Sequence, residues 1–163
     1  MFNHLEEELM GSNLGRAGSG GDEGSAKMVE TARGTVHEWQ KDHMGHINVR
    51  AYTELFEQAC WQFYAMLGLT ASVLRSGAVH LAAVQQNIAY RRELYPGDTV
   101  AVRTGVLEMR DKVLRFRHEL FDTDGGDIAA VCEFTVVCLD PAARRSQPFP
   151  EAAAARAREL LIA

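Results

Sequence analysis

Residues 48–68, NVRAYTELFEQACWQFYAMLG, contain the strongest helix signal in this chain of 163 residues. Apolar side chains recur there at spacings of three and four residues, which is the period of one helix face. They are Tyr52, Leu55, Phe56, Ala59, Phe63, Met66 and Leu67. Asn48 is a suitable N-cap, and Gly68 is a suitable C-terminal stop. The stretch therefore predicts a helix of about five turns whose broad apolar face packs against a sheet.

The rest of the chain reads mainly as β-strands. β-branched and aromatic residues predict a first strand at 31–39, and apolar runs or alternating patterns predict four more. These four lie at 79–90, 99–108, 113–121 and 128–139. Asp124-Gly125-Gly126 is a hairpin signal, and the close spacing of the last three strands implies an antiparallel meander. A short terminal helix is predicted within 151–161. One apolar helix and one antiparallel sheet must cover each other, which makes an α+β domain.

Length and composition favour one globular domain preceded by a tail. Hydrophobic residues make up 47% of the chain and charged residues 24%, which is ordinary for a globular protein. A second core would leave each half short of buried surface. Residues 1–27 are acidic and rich in glycine and serine, so we expect a disordered tail there and a domain at 28–163. A natural tail, a fusion remnant and a start site assigned too early all remain open.

Charge, hydropathy and cysteine spacing argue against several functional classes, and the net charge is −5. Without a basic face the chain is not expected to bind nucleic acid. No apolar run approaches the roughly 20 residues that span a bilayer, so we expect no membrane partner. The N-terminus lacks the pattern of a signal peptide, which predicts a cytoplasmic location. Cys60, Cys132 and Cys138 form no CxxC pair and are expected to be reduced and packed as small apolar side chains.

A polar loop directly before the predicted helix is the candidate site. Its sequence, DHMGHIN at 42–48, places a carboxylate, two imidazoles and a carboxamide at a strand-to-helix junction. The first amides of a helix lack intrahelical partners and favour negative charge, including a developing oxyanion. Asp42 beside such donors could act as a nucleophile or as a general base toward water. Gly45 supplies the backbone freedom that brings these groups together.

These residues also have simpler explanations that the sequence leaves open. Asp42 could only stabilise a turn, and Asn48 could only cap the helix. His43 and His46 form an HxxH pair that could bind a metal together with Asp42. No later cluster of cysteine or histidine completes such a site, so no metal is predicted.

Residues 42–59, DHMGHINVRAYTELFEQA, resemble the D-x-x-G-H-x-N-x-x-x-Y signature of hotdog-fold acyl-CoA thioesterases of the 4-hydroxybenzoyl-CoA thioesterase-like group. Weaker similarities to that group follow in the same order at 87–104, 114–122 and 129–140, so that the resemblance covers about residues 33–150. It implies a hotdog fold, in which a curved five-stranded antiparallel sheet wraps a long central helix. It also implies a homodimer or homotetramer with active sites at the subunit interface.

The resemblance further implies a reaction and the residues that carry it. The reaction is hydrolysis of acyl-CoA to a free carboxylic acid and coenzyme A, without a metal or an organic cofactor. Asp42 matches the catalytic carboxylate, which attacks the thioester carbonyl or activates water. The amide of Val49 matches the donor that polarises this carbonyl, and His46 with Asn48 match positions that shape the pocket.

Other residues are candidates for binding the substrate. Gly45 and Tyr52 match motif positions and are candidates for this role, while packing is the alternative for Tyr52. Arginine side chains suit phosphate oxygens, which makes Arg91 and Arg92, and also Arg115 and Arg117, candidates for coenzyme A phosphates. A solvated sheet edge is the alternative for each arginine. Trp39, Trp61 and Phe63 are expected in the core or in the wall of an acyl pocket.

Two other functions stay open at this point. One is a non-catalytic hotdog module that binds acyl-CoA or an acyl carrier, because a fold does not guarantee an activity. The other is a hotdog dehydratase or hydratase, which pairs an aspartate and a histidine at a wider spacing than the four residues between Asp42 and His46. Gln40 stands where many relatives carry a second acid, and this departure concerns the subfamily more than hydrolysis.

Overall fold

The computed structural model describes residues 27–162. The elements, in chain order, are β1 (Val29–Thr35), a 3₁₀ turn (Glu38–Gln40), α1 (Val49–Met66), α2 (Ala71–Arg75), β2 (His80–Tyr90), β3 (Thr99–Met109), β4 (Val113–Asp122), β5 (Ile128–Asp140), β6 (Arg145–Ser146) and α3 (Glu151–Glu159). The tail predicted at 1–27 lies outside the described residues apart from Lys27, so the domain boundary stays a prediction.

Helix α1 has the length and the ends that the sequence predicts. It runs for 18 residues, and the Oδ1 of its N-cap Asn48 accepts the Ala51 amide at 3.1 Å. Gly68 follows the helix with a φ of +85°, a conformation that glycine adopts at little cost. Phe56 and Phe63 are completely buried on the face that packs against the sheet, and each contributes about 1.5–3 kcal/mol through burial. Met66, which was predicted on the same face, is 46% exposed.

The sheet is antiparallel throughout, with the strand order β1-β3-β4-β5-β2 and the short β6 beside β5. The predicted meander of β3, β4 and β5 is confirmed, whereas β2 crosses over to become an edge strand next to β5. Register shifts interrupt the pairing at Ala83/Gln85, at Val106/Glu108 and in two other strand pairs, and such bulges bend strands. Helix α1 packs across β1, β3 and β4. The predicted arrangement of a long helix against a curved sheet is therefore confirmed.

Several local predictions were wrong. The first strand ends at Thr35 instead of residue 39, because the Val36 amide binds the carbonyl of Asp98 and the chain then turns. Trp39 is 77% exposed and stacks on His37 at 4.2 Å between ring centroids, so it is not a core residue. Trp61 is also half-exposed. Helix α2 and strand β6 were not predicted.

The cysteines follow the expected pattern. Cys60, Cys132 and Cys138 are free and buried, which confirms the prediction of thiols packed in the core. Burial raises the pKa of the Cys60 and Cys132 thiols to about 12. Within residues 27–162, no helix has the length and apolar character needed to cross a membrane.

Candidate active site

The loop before α1 is a tight turn that fixes the carboxylate of Asp42. The Asp42 amide donates to the carbonyl of His46 at 2.9 Å, and Lys41 bridges to Ile47. One carboxylate oxygen of Asp42 accepts the amide of Met44 at 2.8 Å. Gly45 has a φ of +91°, which favours glycine at this position of the turn. The turn therefore anchors one oxygen of Asp42 and leaves the second for other contacts.

Asn48 connects the helix start to the 3₁₀ turn. Its Oδ1 caps the helix, while its Nδ2 and its own amide both donate to the carbonyl of Gln40, at 2.8 and 2.9 Å. The predicted N-cap is confirmed. Within residues 27–162 the amide of Val49 donates no hydrogen bond, as is usual in the first turn of a helix. This amide is therefore available to an acceptor outside the chain.

Asp42, His46 and Val49 line one cavity of about 610 Å³. Its other walls come from Tyr52 on α1 and from the segment after β2, which contributes both Arg91 and Arg92. Gly45 and Asn48 are not part of the wall. Six of the eight predicted site residues thus surround one cavity, and the other two hold its loop in place. The cavity is also lined by five residues that the sequence did not predict as site residues: Met44, Ile47, Tyr90, Glu93 and Tyr95.

Two hydrogen bonds join the walls of this cavity. The amide of Ile47 donates to the carbonyl of Leu94 at 2.8 Å, and the hydroxyl of Tyr52 donates to the carbonyl of Arg92 at 3.0 Å. Burial, with the nearby Glu93 and Tyr90, raises the pKa of Tyr52 to about 12. Tyr52 consequently stays a phenol at neutral pH and serves as an anchor for the opposite wall.

His46 lies between two carboxylates. Its Nδ1 is 3.6 Å from Oδ2 of Asp42 and 3.4 Å from the carbonyl oxygen of Ile47. Its Nε2 is 3.6 Å from Oε1 of Glu93, and this buried nitrogen has no hydrogen-bond partner in the described part of the chain. The second oxygen of Glu93 accepts the hydroxyl of Tyr95 at 2.6 Å. These contacts form a continuous row of polar groups along the cavity wall.

The predicted arginines differ in their surroundings. Arg92 forms ion pairs with Asp122 at 3.2 Å and with Asp127 at 2.9 Å. Arg91 is exposed and forms no ion pair within residues 27–162, which leaves its charge available to an anion. Arg115 and Arg117 lie on the face of β4 opposite the core, and both pair with Glu133.

Two further features of the described residues concern a metal site and a second cavity. Across residues 27–162 there is no group of three or more histidine, cysteine, aspartate or glutamate side chains that could hold a metal ion. A second groove of about 460 Å³ lies between β1 and α1, beside Trp61 and Met66. Its charged residues, Glu30 and Arg33, pair with each other at 2.7 Å.

The fold and the position of the cavity define a hotdog protein with its candidate site at the start of the central helix. Residues 36–157 match the family described as the thioesterase-like superfamily, and the chain belongs to this family. No protein among the curated ones matches the sequence.

Solved structures share this fold at low sequence identity. A hypothetical protein from Staphylococcus aureus, solved in complex with CoA, is 22% identical with a TM-score of 0.75, over 82% of this chain and 87% of that chain. A 1,4-dihydroxy-2-naphthoyl-CoA thioesterase from Synechocystis is 16% identical with a TM-score of 0.71, over 79% and 95%. A DHNA-CoA thioesterase from Staphylococcus aureus is 18% identical with a TM-score of 0.69, over 79% and 90%.

Proposed function

We propose that this protein hydrolyses acyl-CoA thioesters to a free carboxylic acid and coenzyme A. One observation carries the proposal: the carboxylate of Asp42 lines the same cavity as the amide of Val49, which donates to no acceptor among residues 27–162. Membership of the thioesterase-like superfamily supports this reaction class, as do the thioesterases among the proteins of similar fold. The assignment to the 4-hydroxybenzoyl-CoA thioesterase-like group remains a prediction.

The reaction needs an attacking oxygen and a donor for the oxyanion. Either Asp42 bonds to the thioester carbon, or it takes a proton from a water molecule whose oxygen forms that bond. The carbonyl oxygen becomes negative and accepts the amide of Val49, which the helix dipole assists. The carbon–sulfur bond then breaks, and coenzyme A leaves as the thiolate. On the direct path, water afterwards hydrolyses the anhydride formed at Asp42.

The remaining site residues position the catalytic groups or bind the substrate. His46 lies against Asp42, while Asn48 and Gly45 hold the loop, and Tyr52 fixes the opposite wall. Arg91 is the better candidate for a coenzyme A phosphate, because both neighbouring carboxylates already engage Arg92.

We also propose that two copies of the chain pair to complete the site, as a homodimer or within a homotetramer. Strand β2 is an 11-residue edge strand that pairs with β5 alone among residues 27–162, and Val84 in its middle is 61% exposed. Such an edge can pair with another strand. Tyr90 ends β2 and lines the cavity, so a copy paired along β2 would lie beside the site.

Light scattering on a sizing column tests this assembly. We expect a dimer or tetramer for the natural chain. The substitution Val84→Asp places a charge on the proposed contact and should shift the distribution towards the monomer. A natural chain that is monomeric at micromolar concentration would contradict the proposal.

Release of free thiol from aryl-, short-chain and long-chain acyl-CoAs tests hydrolysis. We expect thiol from at least one substrate class, and about a 10²- to 10⁴-fold loss in kcat for Asp42→Asn and Asp42→Ala. Asp111→Asn is the matched control, since Asp111 is exposed and lies outside the cavity wall. Full activity of Asp42→Ala would exclude the role given to Asp42. Binding without any thiol release would favour the non-catalytic acyl-CoA module instead.

Single turnover in ¹⁸O-labelled water separates the two roles of Asp42. If the carboxylate bonds to the acyl carbon and water then attacks the Asp42 carbonyl of the anhydride, the label enters Asp42 in the first turnover, and the released acid takes an unlabelled oxygen from Asp42. If Asp42 only activates water, the label appears in the released acid alone. Mass spectrometry of the peptide that contains Asp42 distinguishes these outcomes.

A further inference from the structure

Both ring nitrogens of His46 face hydrogen-bond acceptors. Nδ1 faces the carbonyl oxygen of Ile47 and Oδ2 of Asp42, at 3.4 and 3.6 Å. Nε2 lies 3.6 Å from Oε1 of Glu93 and has no hydrogen-bond partner in the described part of the chain. A neutral imidazole donates from one nitrogen only and would therefore turn a lone pair towards one of the carboxylates. A ring with a proton on each nitrogen fits this environment.

The position of Glu93 is constrained from both sides. The hydrogen bond between the Ile47 amide and the Leu94 carbonyl joins the residues that directly follow His46 and Glu93, and both Ile47 and Leu94 are buried. The hydroxyl of Tyr95 holds the second carboxylate oxygen of Glu93 at 2.6 Å. The side chain of His46 is only 13% exposed, so water screens its contact with Glu93 incompletely.

We propose that Glu93 is a positioning residue, which accepts the Nε2–H of His46 and so keeps the imidazole doubly protonated beside Asp42. The ring then presents Nδ1–H to Asp42 and to the Ile47 carbonyl. The imidazolium then faces Oδ2 of Asp42, the carboxylate that either route of the proposed reaction uses. Two arginines also line this cavity. Arg92 forms ion pairs with Asp122 and Asp127, and Arg91 is exposed. Only the catalytic consequence rests on the proposed function.

Nitrogen NMR of the full-length protein labelled with ¹⁵N-histidine tests the proposal without any substrate. His46→Gln assigns the ring signals by their loss. At pH 7 we expect both nitrogens of His46 to carry protons in the natural chain. In Glu93→Gln the side-chain amide of glutamine can donate to Nε2 of His46. Nε2 should then lose its proton, which leaves the neutral imidazole with a proton on Nδ1 alone. Glu159→Gln, which removes a similar charge from an exposed position on α3, should leave the spectrum unchanged.

An unprotonated Nε2 in the natural chain would overturn the proposal, as would identical His46 spectra in the natural chain and Glu93→Gln. These outcomes do not depend on hydrolysis, so they stay distinct from a failure to release thiol. If thiol is released, Glu93→Gln should lower kcat about tenfold or more with little change in KM, and Tyr95→Phe should give a smaller loss. An unchanged kcat together with a lost Nε2 proton would exclude the positioning role.

Discussion

The sulfur of Cys60 lies 3.3 Å from Nε2 of His118, at the buried contact between α1 and β4. Nδ1 of His118 is 2.6 Å from the hydroxyl of Thr104, which in turn is 2.7 Å from the hydroxyl of Thr31. Each ring nitrogen of His118 therefore has a hydrogen-bond partner. Burial lowers the pKa of His118 to about 3, so the ring is neutral at physiological pH.

This buried ring should make stability depend on pH. Its pKa is near 6.5 in the unfolded chain and about 3 in the folded protein, so the unfolded chain binds more protons between these values. The contribution of His118 to the free energy of unfolding is complete above about pH 6.5. It falls with decreasing pH by up to about 1.4 kcal/mol for each pH unit. We expect urea unfolding to show a loss of about 3 kcal/mol from His118 between pH 6.5 and pH 4.

His118→Phe isolates this contribution, because Phe56, Phe116 and Phe134 already surround the ring. The variant should show a flatter dependence of the unfolding free energy on pH in the same window. His80→Gln serves as the control, since His80 is exposed and should retain the slope of the natural chain. Equal slopes for His118→Phe and the natural chain would show that His118 does not titrate as described.

Thr104 is expected to be essential as a hydrogen-bonding partner. Thr104→Val keeps the shape of the side chain but leaves Nδ1 of His118 without a partner in the core, which should cost about 1–3 kcal/mol. Thr104→Ser retains the hydroxyl and should recover most of this loss. Thermal and urea unfolding measure both variants, and a Val variant as stable as the Ser variant would contradict the argument.

The cap of α1 should also be measurable. Asn48→Ala removes the acceptor for the Ala51 amide and the donor to Gln40, which should lower the free energy of unfolding by about 1–2 kcal/mol. Asn48→Asp keeps the acceptor and should be intermediate. Thr70→Ala removes the cap of the five-residue helix α2 and should cost less, because its hydroxyl accepts the Val73 amide at a longer 3.4 Å.

The three thiols should resist modification in the folded protein. All three cysteines are buried, and burial raises each thiol pKa, so little thiolate forms at pH 8. We expect Ellman's reagent to label none of them in buffer within minutes and all of them in concentrated urea. Rapid labelling of the folded protein would mean that a thiol is accessible. The expected protection also permits this reagent in the coenzyme A release assay.

Much of the fold could be predicted from periodicity. The pattern from Asn48 to Gly68 defines α1 because its apolar spacing and its end residues agree, and the strands β2 to β5 begin and end within two residues of their predicted bounds. Helix α2 has only five residues and no repeated apolar face, so it gave no signal. The crossing of β2 to the edge beside β5 could not be predicted either, because strand patterns do not specify partners across the chain.

The candidate site could be predicted more fully at the loop before α1 than on the opposite wall, where only Arg91 and Arg92 were candidates. Asp42, His46 and Val49 are close in sequence and belong to one loop and one helix start. Glu93 joins them through the Ile47–Leu94 hydrogen bond, which depends on the tertiary structure. A local signal was present, since the Pro96-Gly97-Asp98 turn places the preceding residues at a strand end, where functional side chains often lie.

The double ion pair of Arg92 links the cavity to a distant part of the chain. Its backbone carbonyl accepts a hydrogen bond from the hydroxyl of Tyr52. Its side chain forms ion pairs with Asp122 at the end of β4 and with Asp127 after the hairpin turn. The turn between β4 and β5 thus supports the cavity wall from outside the cavity. Under the proposed function, substitutions at residues 123–127 are therefore expected to alter acyl selectivity without replacing any side chain of the cavity wall.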